Sequence, residues 1–556
     1  MSFTEIFLDG FCHLAVLAAR GRQVHFRTIF FRFLPLRPTI YLSGFFLFYL
    51  FYLGLASENR PDLFFNSDGL MPASLYRDIF VDRFPLSGWS FPPAVCLFPD
   101  FLFFFLAMLL TGGGTIPASI LYSLLQWTFF LEGLFFLIRR TGDGKIMERM
   151  ILSGIGAGFI PPAISFGLDS GLLLPLFQPG FHAGAFLVSL YSAGFLLGYL
   201  KGRSFWNLAA LFILSSLALA SDKIYWITGI APLFTAAVVS IVGFSTKRKS
   251  AISAALILLS ALTGTWLIWA LERLNYFLIP AVGFSLKNAG DISLSFFAQS
   301  ILKTAHDLFS SALPYAAFFS IALVCLAAGV FFFAKRKEYE KAFVILFAIL
   351  VILFNFSGLA LSRALFGLYH PRYAISLFLI VPAALAICPP FFSRRSLLAA
   401  SGILVSLLFV VSAYEIQRTG LAFRPYRHPL SECLDSNQKK YNLSYGLADY
   451  WHARPVSLLS RSGLRMNQIT YALGTHYWLN NYYWYFGKKT NPQYDFIITT
   501  GLDRALILKK FGSPAASFFC PSAEVFVYNR PGDEAFRNLF HATESEIKLW
   551  QFMLGR

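Results

Sequence analysis

The sequence predicts a polytopic α-helical membrane protein of about eleven transmembrane helices, with a small extracytoplasmic α/β domain at its C-terminal end. Of the 556 residues, 56% are hydrophobic and only 13% are charged, against roughly 25% charged residues in soluble proteins. Apolar runs long enough to cross a bilayer recur along the first 414 positions. Beyond Tyr414 the composition becomes polar and mixed, which predicts a separate soluble domain.

Each apolar run of membrane-spanning length predicts one helix. The predicted helices lie near residues 38–56, 115–138, 148–168, 181–200, 204–221, 225–244, 251–271, 311–334, 341–361, 373–389 and 396–414. Basic clusters in the short loops indicate the cytoplasmic side, because Lys and Arg are retained there. These clusters alternate with non-basic loops from residue 139 onward. The segment 57–97, called the first outer loop below, and the tail 415–556 are therefore expected to be extracytoplasmic.

The same topology accounts for the net charge of +17. Much of the excess lies in the short loops and in a basic N-terminal arm, residues 1–37, which is typical of an amphipathic segment on the inner leaflet. We therefore expect membrane lipids and no nucleic acid as partners of these charges. The arm lacks the pattern of a cleavable signal peptide, so we expect the first strong helix of the transmembrane region, 38–414, to insert uncleaved. Such a chain fits the bacterial inner membrane, with the N-terminus in the cytoplasm.

One apolar segment breaks the alternation of the loops. Residues 98–110 (FPDFLFFFLAMLL) are apolar enough to cross, but the segment is short for a span, and counting it would reverse every later loop. We interpret it as a re-entrant or interfacial helix that ends at Gly112–Gly113–Gly114.

The tail alternates β-rich and helical runs, which is typical of an α/β domain. PQYDFIITT and AEVFVYN are predicted strands, and LDRALILKKFG and EAFRNLFHATESEIKLWQFML are predicted helices. Cys433 and Cys520 are the only cysteines of the tail. They can form a disulfide in an oxidising compartment, but the sequence does not give their separation, so two buried thiols are the open alternative.

The first outer loop and its continuation hold five aspartates, Asp62, Asp68, Asp78, Asp82 and Asp100, together with Arg77 and Arg83. This mixture suits a reaction between a hydroxyl acceptor and a lipid phosphate, because a carboxylate accepts the hydroxyl proton and an arginine neutralises the phosphate. Asp78 and Asp82 fall one turn apart beside the arginines, which favours solvated surface pairs. Asp68 lies in the turn Asn66–Ser67–Asp68–Gly69, where it either acts chemically or caps the next helix.

The order of these features resembles the GT-C fold of polyprenyl-phosphate-dependent glycosyltransferases, including the protein mannosyltransferase and arabinosyltransferase groups. The runs NSDGLMPASLYRDIF, WSFPPAVCLFPDF, ASDKIYWITGIAP and YGLADYWHARPVSLLS are similar to those of bacterial polytopic proteins described as membrane proteins or glycosyltransferases. In the GT-C pattern an acid of the first outer loop acts as base or metal ligand, and Asp68 matches it by position. Ser67 stands where a second acid is common, so a divalent metal is left open and no cofactor is assigned.

Several other residues are candidates for the same reaction. Asp222 either acts as a second acid or caps the helix that follows it. Arg77, Lys223, Arg372 and His182 are candidate contacts to the donor phosphate, with ion pairing, capping and packing as their alternatives.

Three aromatic residues complete the candidate site. Trp89, Tyr450 and Trp451 are candidate contacts to the acceptor or to a sugar, because an aromatic face stacks on the apolar face of a sugar ring. Anchoring at the membrane interface is the alternative for residues of this type.

The leading functional hypothesis is an inverting glycosyltransferase with an Asp as general base. It would move a hexose or pentose from a polyprenyl-phosphate donor to an extracytoplasmic glycan, lipid or protein acceptor. One alternative is a transporter or flippase of a lipid-linked glycan, although mid-membrane charges are few and no internal repeat is visible. Another is a non-catalytic envelope-assembly protein.

Overall fold

The computed structural model describes residues 65–142, 178–202, 204–243, 247–274, 276–277, 279, 294–309, 313–366, 373, 376–377, 379–381, 426–485, 492–529 and 536. The first part of the chain contains α1 (Met71–Arg77), β1 (Trp89–Ser90), α2 (Leu102–Leu110), α3 (Thr115–Arg140), α4 (Ala183–Gly202), α5 (Phe205–Ser221), α6 (Ala231–Gly243), α7 (Lys247–Arg273), α8 (Leu294–Phe309), α9 (Leu313–Lys335) and α10 (Tyr339–Phe366). π-type turns at Asp78–Asp82, Leu97–Phe101 and Trp226–Ile230 precede or follow helices α1, α2 and α6.

The predicted membrane helices and the observed helices agree over the described residues. Helices α3, α4, α5, α6, α7, α9 and α10 coincide with predicted spans, and α3, α4, α7 and α10 are long and apolar enough to cross a membrane by length and composition. The predicted spans at 38–56, 148–168 and 396–414 lie outside the described residues, as do the predicted domain boundaries. The span at 373–389 is described only in part.

Helix α4 lies at the centre of the packed helices. Within its most apolar stretch of 18 residues, 89% of the residues are buried. Its many Gly, Ala and Ser residues let neighbouring helices approach closely, as is common between membrane helices. Gly194 shows the constraint, since a Cβ atom built there would lie 2.5 Å from the ring of Phe136 on α3. A larger residue at this position would push α3 and α4 apart.

Helix α2 folds back onto the first half of α3. The turn between them contains Gly112 and Gly113 in the left-handed region, and Phe103 of α2 stacks on Phe129 of α3 with ring centroids 4.6 Å apart. A helix of nine residues rises only about 14 Å, which is about half of a bilayer core. Together with the preceding π-type turn, the apolar helical stretch Leu97–Leu110 is still shorter than a span, and its re-entrant or interfacial placement stays a prediction.

Helix α8 occupies a stretch that the sequence analysis treated as part of a loop. Its residues Phe296 and Leu302 are exposed although they are apolar. An amphipathic helix with such a face is typical of a segment that lies along the membrane interface.

The C-terminal part contains α11 (Pro429–Tyr441), β2 (Tyr445–Ala448), α12 (Tyr450–Leu459), β3 (Arg465–Gln468), β4 (Asn480–Asn481), β5 (Phe496–Ile498), α13 (Arg504–Phe511), β6 (Ala516–Cys520) and β7 (Ala523–Val527). Within the described residues, five strands form a sheet in the order β3-β2-β5-β7-β6, with parallel β3-β2-β5 pairs and antiparallel β5-β7-β6 pairs. Apolar clusters cover both faces of this sheet. The predicted α/β class is confirmed, while the predicted helix at 534–554 lies outside the described residues except for Phe536.

The start of α12 is fixed by its own sequence. Asp449 accepts a hydrogen bond from the backbone N–H of His452 at 3.0 Å, so it is the N-cap of the helix. The helix therefore begins at Tyr450, directly after β2. This short connection places Tyr450 at the carboxyl end of a central parallel strand.

The first outer loop is joined to the C-terminal sheet domain by a two-stranded antiparallel sheet, in which Trp89 and Ser90 pair with Asn481 and Asn480. Beneath it, Asp78 is buried and accepts hydrogen bonds from Trp89 Nε1 at 2.9 Å, Trp484 Nε1 at 3.0 Å and Asn481 Nδ2 at 2.8 Å. The interpretation of Asp78 as a solvated surface acid is therefore wrong, because its carboxylate is the acceptor that three buried N–H groups share.

Cys433 on α11 and Cys520 at the end of β6 form a disulfide that closes 87 residues of chain. We expect Cys433→Ala/Cys520→Ala to destabilise the sheet domain by roughly 4 to 5 kcal/mol, because the unfolded chain regains the entropy of that loop. Alkylation of the unfolded, unreduced full-length protein, read by mass spectrometry, should label Cys96 and Cys325 but leave Cys433 and Cys520 unmodified. Labelling of the latter two would contradict the pairing.

Burial raises the pKa of Asp78 from 3.8 to about 7, and the N–H donors only partly offset this effect. The folded protein then holds this proton more tightly than the unfolded chain, so the contribution of Asp78 is complete at low pH and is lost as the pH rises from about 4 to about 7. We expect the unfolding temperature of the wild type to fall relative to that of Asp78→Asn across this range. Tryptophan fluorescence can follow it through Trp89 and Trp484, and parallel curves would contradict the assignment.

Candidate functional site

Asp68 and Tyr450 meet where α1 and α12 begin. The hydroxyl of Tyr450 donates to Asp68 Oδ1, and the hydroxyl of Ser67 donates to the backbone oxygen of Tyr450 at 2.5 Å. Burial raises the pKa of Tyr450 above its ordinary value, and the charge of Asp68 acts in the same direction. Tyr450 therefore remains a hydrogen-bond donor, while Asp68 is half-buried and can be reached from outside.

Arg454 stabilises the contact between Asp68 and Tyr450. Its side chain is 3% exposed, its Nη1 donates to the backbone oxygen of Ser67 at 2.5 Å, and its Nη2 donates to the backbone oxygen of Leu479. The guanidinium also lies 5.7 Å from the centre of the Tyr450 ring. One cation thus fixes the loop of Asp68 and the helix of Tyr450 together.

A second cluster forms at the helix ends around Asp222. Asp222 Oδ2 lies 2.7 Å from His182 Nδ1, and Asp222 Oδ1 accepts the backbone N–H of Ile224 at 3.0 Å. One oxygen therefore caps the turn, as the capping interpretation expected, and the other contacts His182. The role of Asp222 as a second acid stays a prediction. A carboxylate oxygen accepts hydrogen bonds, so the contact to His182 favours the imidazole tautomer that donates from Nδ1 and leaves Nε2 on the other side of the ring.

Two further polar groups lie beside this pair. Asp100 is buried and accepts a hydrogen bond from the hydroxyl of Tyr122 at 2.7 Å. Cys96 is also buried. Cys96 and His182 both adopt left-handed backbone conformations, with φ of 55° and 70°, which cost energy in non-glycine residues and cluster at functional sites.

Cys96, His182 and Asp222 can together hold a metal ion, because one ligand atom from each lies within 4.8 Å of the others. A sulfur, an imidazole and a carboxylate make a donor set that fits zinc with one position left open. Magnesium and manganese prefer oxygen ligands, so this set fits them less well.

The two clusters share one region of the molecule. Gly69, next to Asp68, packs so closely on Gln178 that an added Cβ would lie 2.9 Å from its side-chain amide. Gln178 precedes His182 by four residues, and the ring of Tyr373 lies 4.9 Å from that of His182. The segments that carry Asp68, His182 and Asp222 therefore converge.

The other predicted site residues are distributed more widely. Lys223 is exposed beside Asp222, and Trp451 is 54% exposed next to Tyr450. Arg77 lies at the far end of α1, where it pairs with Asp82 at 3.3 Å. Arg372 lies outside the described residues.

Trp89 requires a correction. The sequence analysis expected it to stack on a sugar, but its side chain is fully buried and packs edge-on against Trp484 with ring centroids 5.5 Å apart. Its indole N–H is also committed to Asp78. Trp89 therefore supports the junction between the first outer loop and the sheet domain.

Sequence reasoning missed Arg454, Cys96 and Gln178, and it named Asp100 only as one acid of the outer loop and its continuation. Arg454 stood in the quoted run YGLADYWHARPVSLLS, and an arginine among apolar residues on a short amphipathic helix was an available signal. Cys96 and Gln178 carried no comparable signal, because their surroundings depend on contacts between segments that are distant in the chain.

Two of the solved structures that resemble this chain are of ArnT from Cupriavidus metallidurans. The apo structure aligns with a TM-score of 0.50 at 12% identity, over 88% of this chain and 97% of ArnT. The structure bound to undecaprenyl phosphate aligns with a TM-score of 0.51 at 13% identity, over 89% and 98%. No protein-family model matches the chain, and no curated protein sequence does. At this level of identity the likeness shows the fold: the chain is an integral membrane protein with a GT-C-type fold.

Proposed function

We propose that this protein is a glycosyltransferase that moves a sugar from a polyprenyl-phosphate donor to a hydroxyl of an extracytoplasmic acceptor. The observation that carries the proposal is the convergence of Asp68, held by Tyr450, with the His182–Asp222 pair at one end of the helices. A carboxylate and an imidazole so placed supply the two groups that the reaction needs, a base for the hydroxyl and a partner for the phosphate.

The fold supports the class of donor. ArnT, which aligns over nearly its whole length, has been crystallised with undecaprenyl phosphate, a polyprenyl phosphate. A long polyprenyl chain requires an apolar environment, which the lipid-facing helices of an integral membrane protein provide. The phosphate of such a lipid would sit near the ends of those helices.

Asp68 is the proposed general base. It accepts the proton of the acceptor hydroxyl as that oxygen attacks the anomeric carbon from the face opposite the phosphate, so the configuration at that carbon inverts. Tyr450 orients the carboxylate through its hydrogen bond to Oδ1. Asp68 is half-buried, which keeps it accessible to the acceptor.

His182 and Lys223 are the proposed contacts to the leaving phosphate. Asp222 fixes the His182 ring through Nδ1, and when the ring is protonated its Nε2–H donates to a phosphate oxygen. Lys223 adds a positive charge beside it, and Arg372 stays a prediction for the same role. If zinc occupies the Cys96, His182 and Asp222 set, it supplies an electrophile for the phosphate.

The test is transfer by the purified full-length protein in liposomes. Radiolabelled polyprenyl-phosphate hexose or pentose is supplied as donor, with an extract of the native cell envelope as acceptor pool. The proposal expects label in the acceptor fraction and release of polyprenyl phosphate. Absence of transfer, together with movement of a fluorescent lipid-linked sugar between leaflets, would overturn it in favour of transport.

We expect Asp68→Asn to lower kcat by at least 100-fold, because the amide does not accept the hydroxyl proton, and removal of a general base costs about 10²- to 10⁴-fold. The donor KM should change little, since Asp68 does not contact the phosphate. Glu432→Gln, at an exposed acid of α11, is the matched control and should keep full activity. Retention of more than half the rate in Asp68→Asn would exclude it as the base.

We expect His182→Ala to raise the donor KM about tenfold or more while kcat falls less, because the loss of a charge-assisted hydrogen bond weakens phosphate binding. His306→Ala, at an exposed histidine of α8, is the control. Steady-state kinetics over a range of donor concentrations separates the two parameters. An unchanged donor KM would remove His182 from the phosphate site.

A further inference from the structure

A cavity of about 270 Å³ lies between the first outer loop and the sheet domain, and the proposed reaction does not use it. The end of α1 and the turn that follows it form one wall, and β2, β3 and the second half of α12 form the other. Arg77 Nη1 donates to the backbone oxygen of Ser457 at 3.1 Å across this junction. The cavity therefore belongs to the contact between the two parts of the chain.

Two arginines and two aspartates line this cavity, and the arginines are the more exposed pair. Arg465 contacts Asp82 through both terminal nitrogens, at 3.0 and 3.1 Å, and Arg77 Nε contacts the same carboxylate at 3.3 Å. Two guanidinium groups thus face one carboxylate. Asp78 also lines the cavity, but its oxygens are committed to Trp89, Trp484 and Asn481. Because Asp78 is buried and Asp82 is shared between two arginines, the open sides of the guanidinium groups are the charged surface that an entering anion meets.

Both arginines can be reached by a ligand. The side chains of Arg77 and Arg465 are 30% and 34% exposed, in contrast to the buried Arg454. Guanidinium groups bind carboxylates and phosphates through paired hydrogen bonds. An anion entering the cavity can therefore share the arginines with Asp82 or displace it from one of them.

The remaining wall is aromatic and polar. Phe84, Tyr445 and Trp484 line the cavity and are each half-buried, so part of each ring is open to it. Ser74, Ser457 and Asn467 add groups that form hydrogen bonds. Aromatic faces beside polar side chains suit a sugar ring, and the volume lies near the lower end of the range for small-ligand sites.

Two helices fix the distance between the cavity and Asp68. Helices α1 and α12 both begin at the contact between Asp68 and Tyr450, and both end at the cavity. Seven residues of α1 rise about 10 Å. A glycan whose reacting hydroxyl lies at Asp68 can thus place a nearby sugar unit in the cavity.

We infer that this cavity binds an anionic saccharide, with its carboxylate or phosphate on Arg77 and Arg465 and its ring on Trp484. The inference rests on the proposed function in one respect, since the saccharide is taken to be part of the acceptor glycan. It assigns Arg77 to the acceptor, whereas the sequence analysis placed that residue at the donor phosphate. The acceptor class that follows is an acidic glycan, carrying uronic acid or phosphate groups.

The test measures binding without any donor. The full-length protein in detergent is titrated by calorimetry with a galacturonate disaccharide, with glucose 6-phosphate and with the neutral disaccharide maltose. We expect a charged probe to bind at least tenfold more tightly than maltose and to weaken as salt is added. The tighter of the two charged probes identifies the substituent. Equal binding of neutral and charged probes, or no binding of either charged probe, would overturn the inference.

Two variants with opposite expected effects separate binding from a structural role. Arg465→Gln should weaken the charged probe at least tenfold, while Asp82→Asn should tighten it, because the arginines lose the carboxylate that competes with the ligand. Arg504→Gln, at an exposed ion pair with Glu524, is the matched control and should bind normally. If Arg465→Gln and Asp82→Asn both weaken binding, the cluster only stabilises the junction and the inference fails.

The two proposals can fail separately. Charged saccharides that bind while no sugar is transferred would remove the glycosyltransferase proposal and leave the binding site. Efficient transfer to neutral acceptors with no binding of charged probes would remove this inference and leave the enzyme.

Discussion

The arrangement of the site depends on one buried cation. Arg454 lies on the first turns of α12 and binds backbone oxygens of Ser67, from the first outer loop, and Leu479, from the sheet domain. A charge removed from water is costly unless hydrogen bonds compensate it, so these two carbonyl groups must stay in place for the domain to keep its fold. The hydrogen bond to Ser67 fixes a loop that lies 387 residues earlier in the chain. The carboxylate of Asp68, the next residue of that loop, is held in place as a result.

Helices α1 and α12 then act as two parallel supports. Both helices begin beside the contact between Asp68 and Tyr450, and their last turns carry Arg77 and Ser457 at the cavity. Rigid helices fix the distance between a reacting group and a recognition group better than loops do. The same pair of elements therefore relates the proposed base at one end to the proposed acceptor cavity at the other, while His182 and Asp222 lie on a separate set of helices.

The sequence predicted the parts of this structure that follow from local composition. Apolar length located α3 to α7, α9 and α10, and alternating β-rich and helical runs located β5, β7 and α13. What it did not predict arises from contacts between distant segments. Asp78 looked like a surface acid because its neighbours are arginines, yet its partners Asn481 and Trp484 come from the opposite end of the chain. Trp89 looked like a ligand contact because aromatic faces stack on sugar rings, yet its ring packs on Trp484 from the same distant segment. Asp222 carried a local signal, a helix boundary, and both its capping contact and its contact to His182 are present.

The pairing of β1 with β4 has a consequence for biosynthesis. Trp89 pairs with Asn481 across a separation that spans most of the polypeptide, and the ribosome makes the second strand long after the first. Strand β1 therefore stays without its partner strand until β4 has been made. Formation of the junction between the first outer loop and the sheet domain is in this way a late step of biosynthesis, and so is the contact between Asp68 and Tyr450.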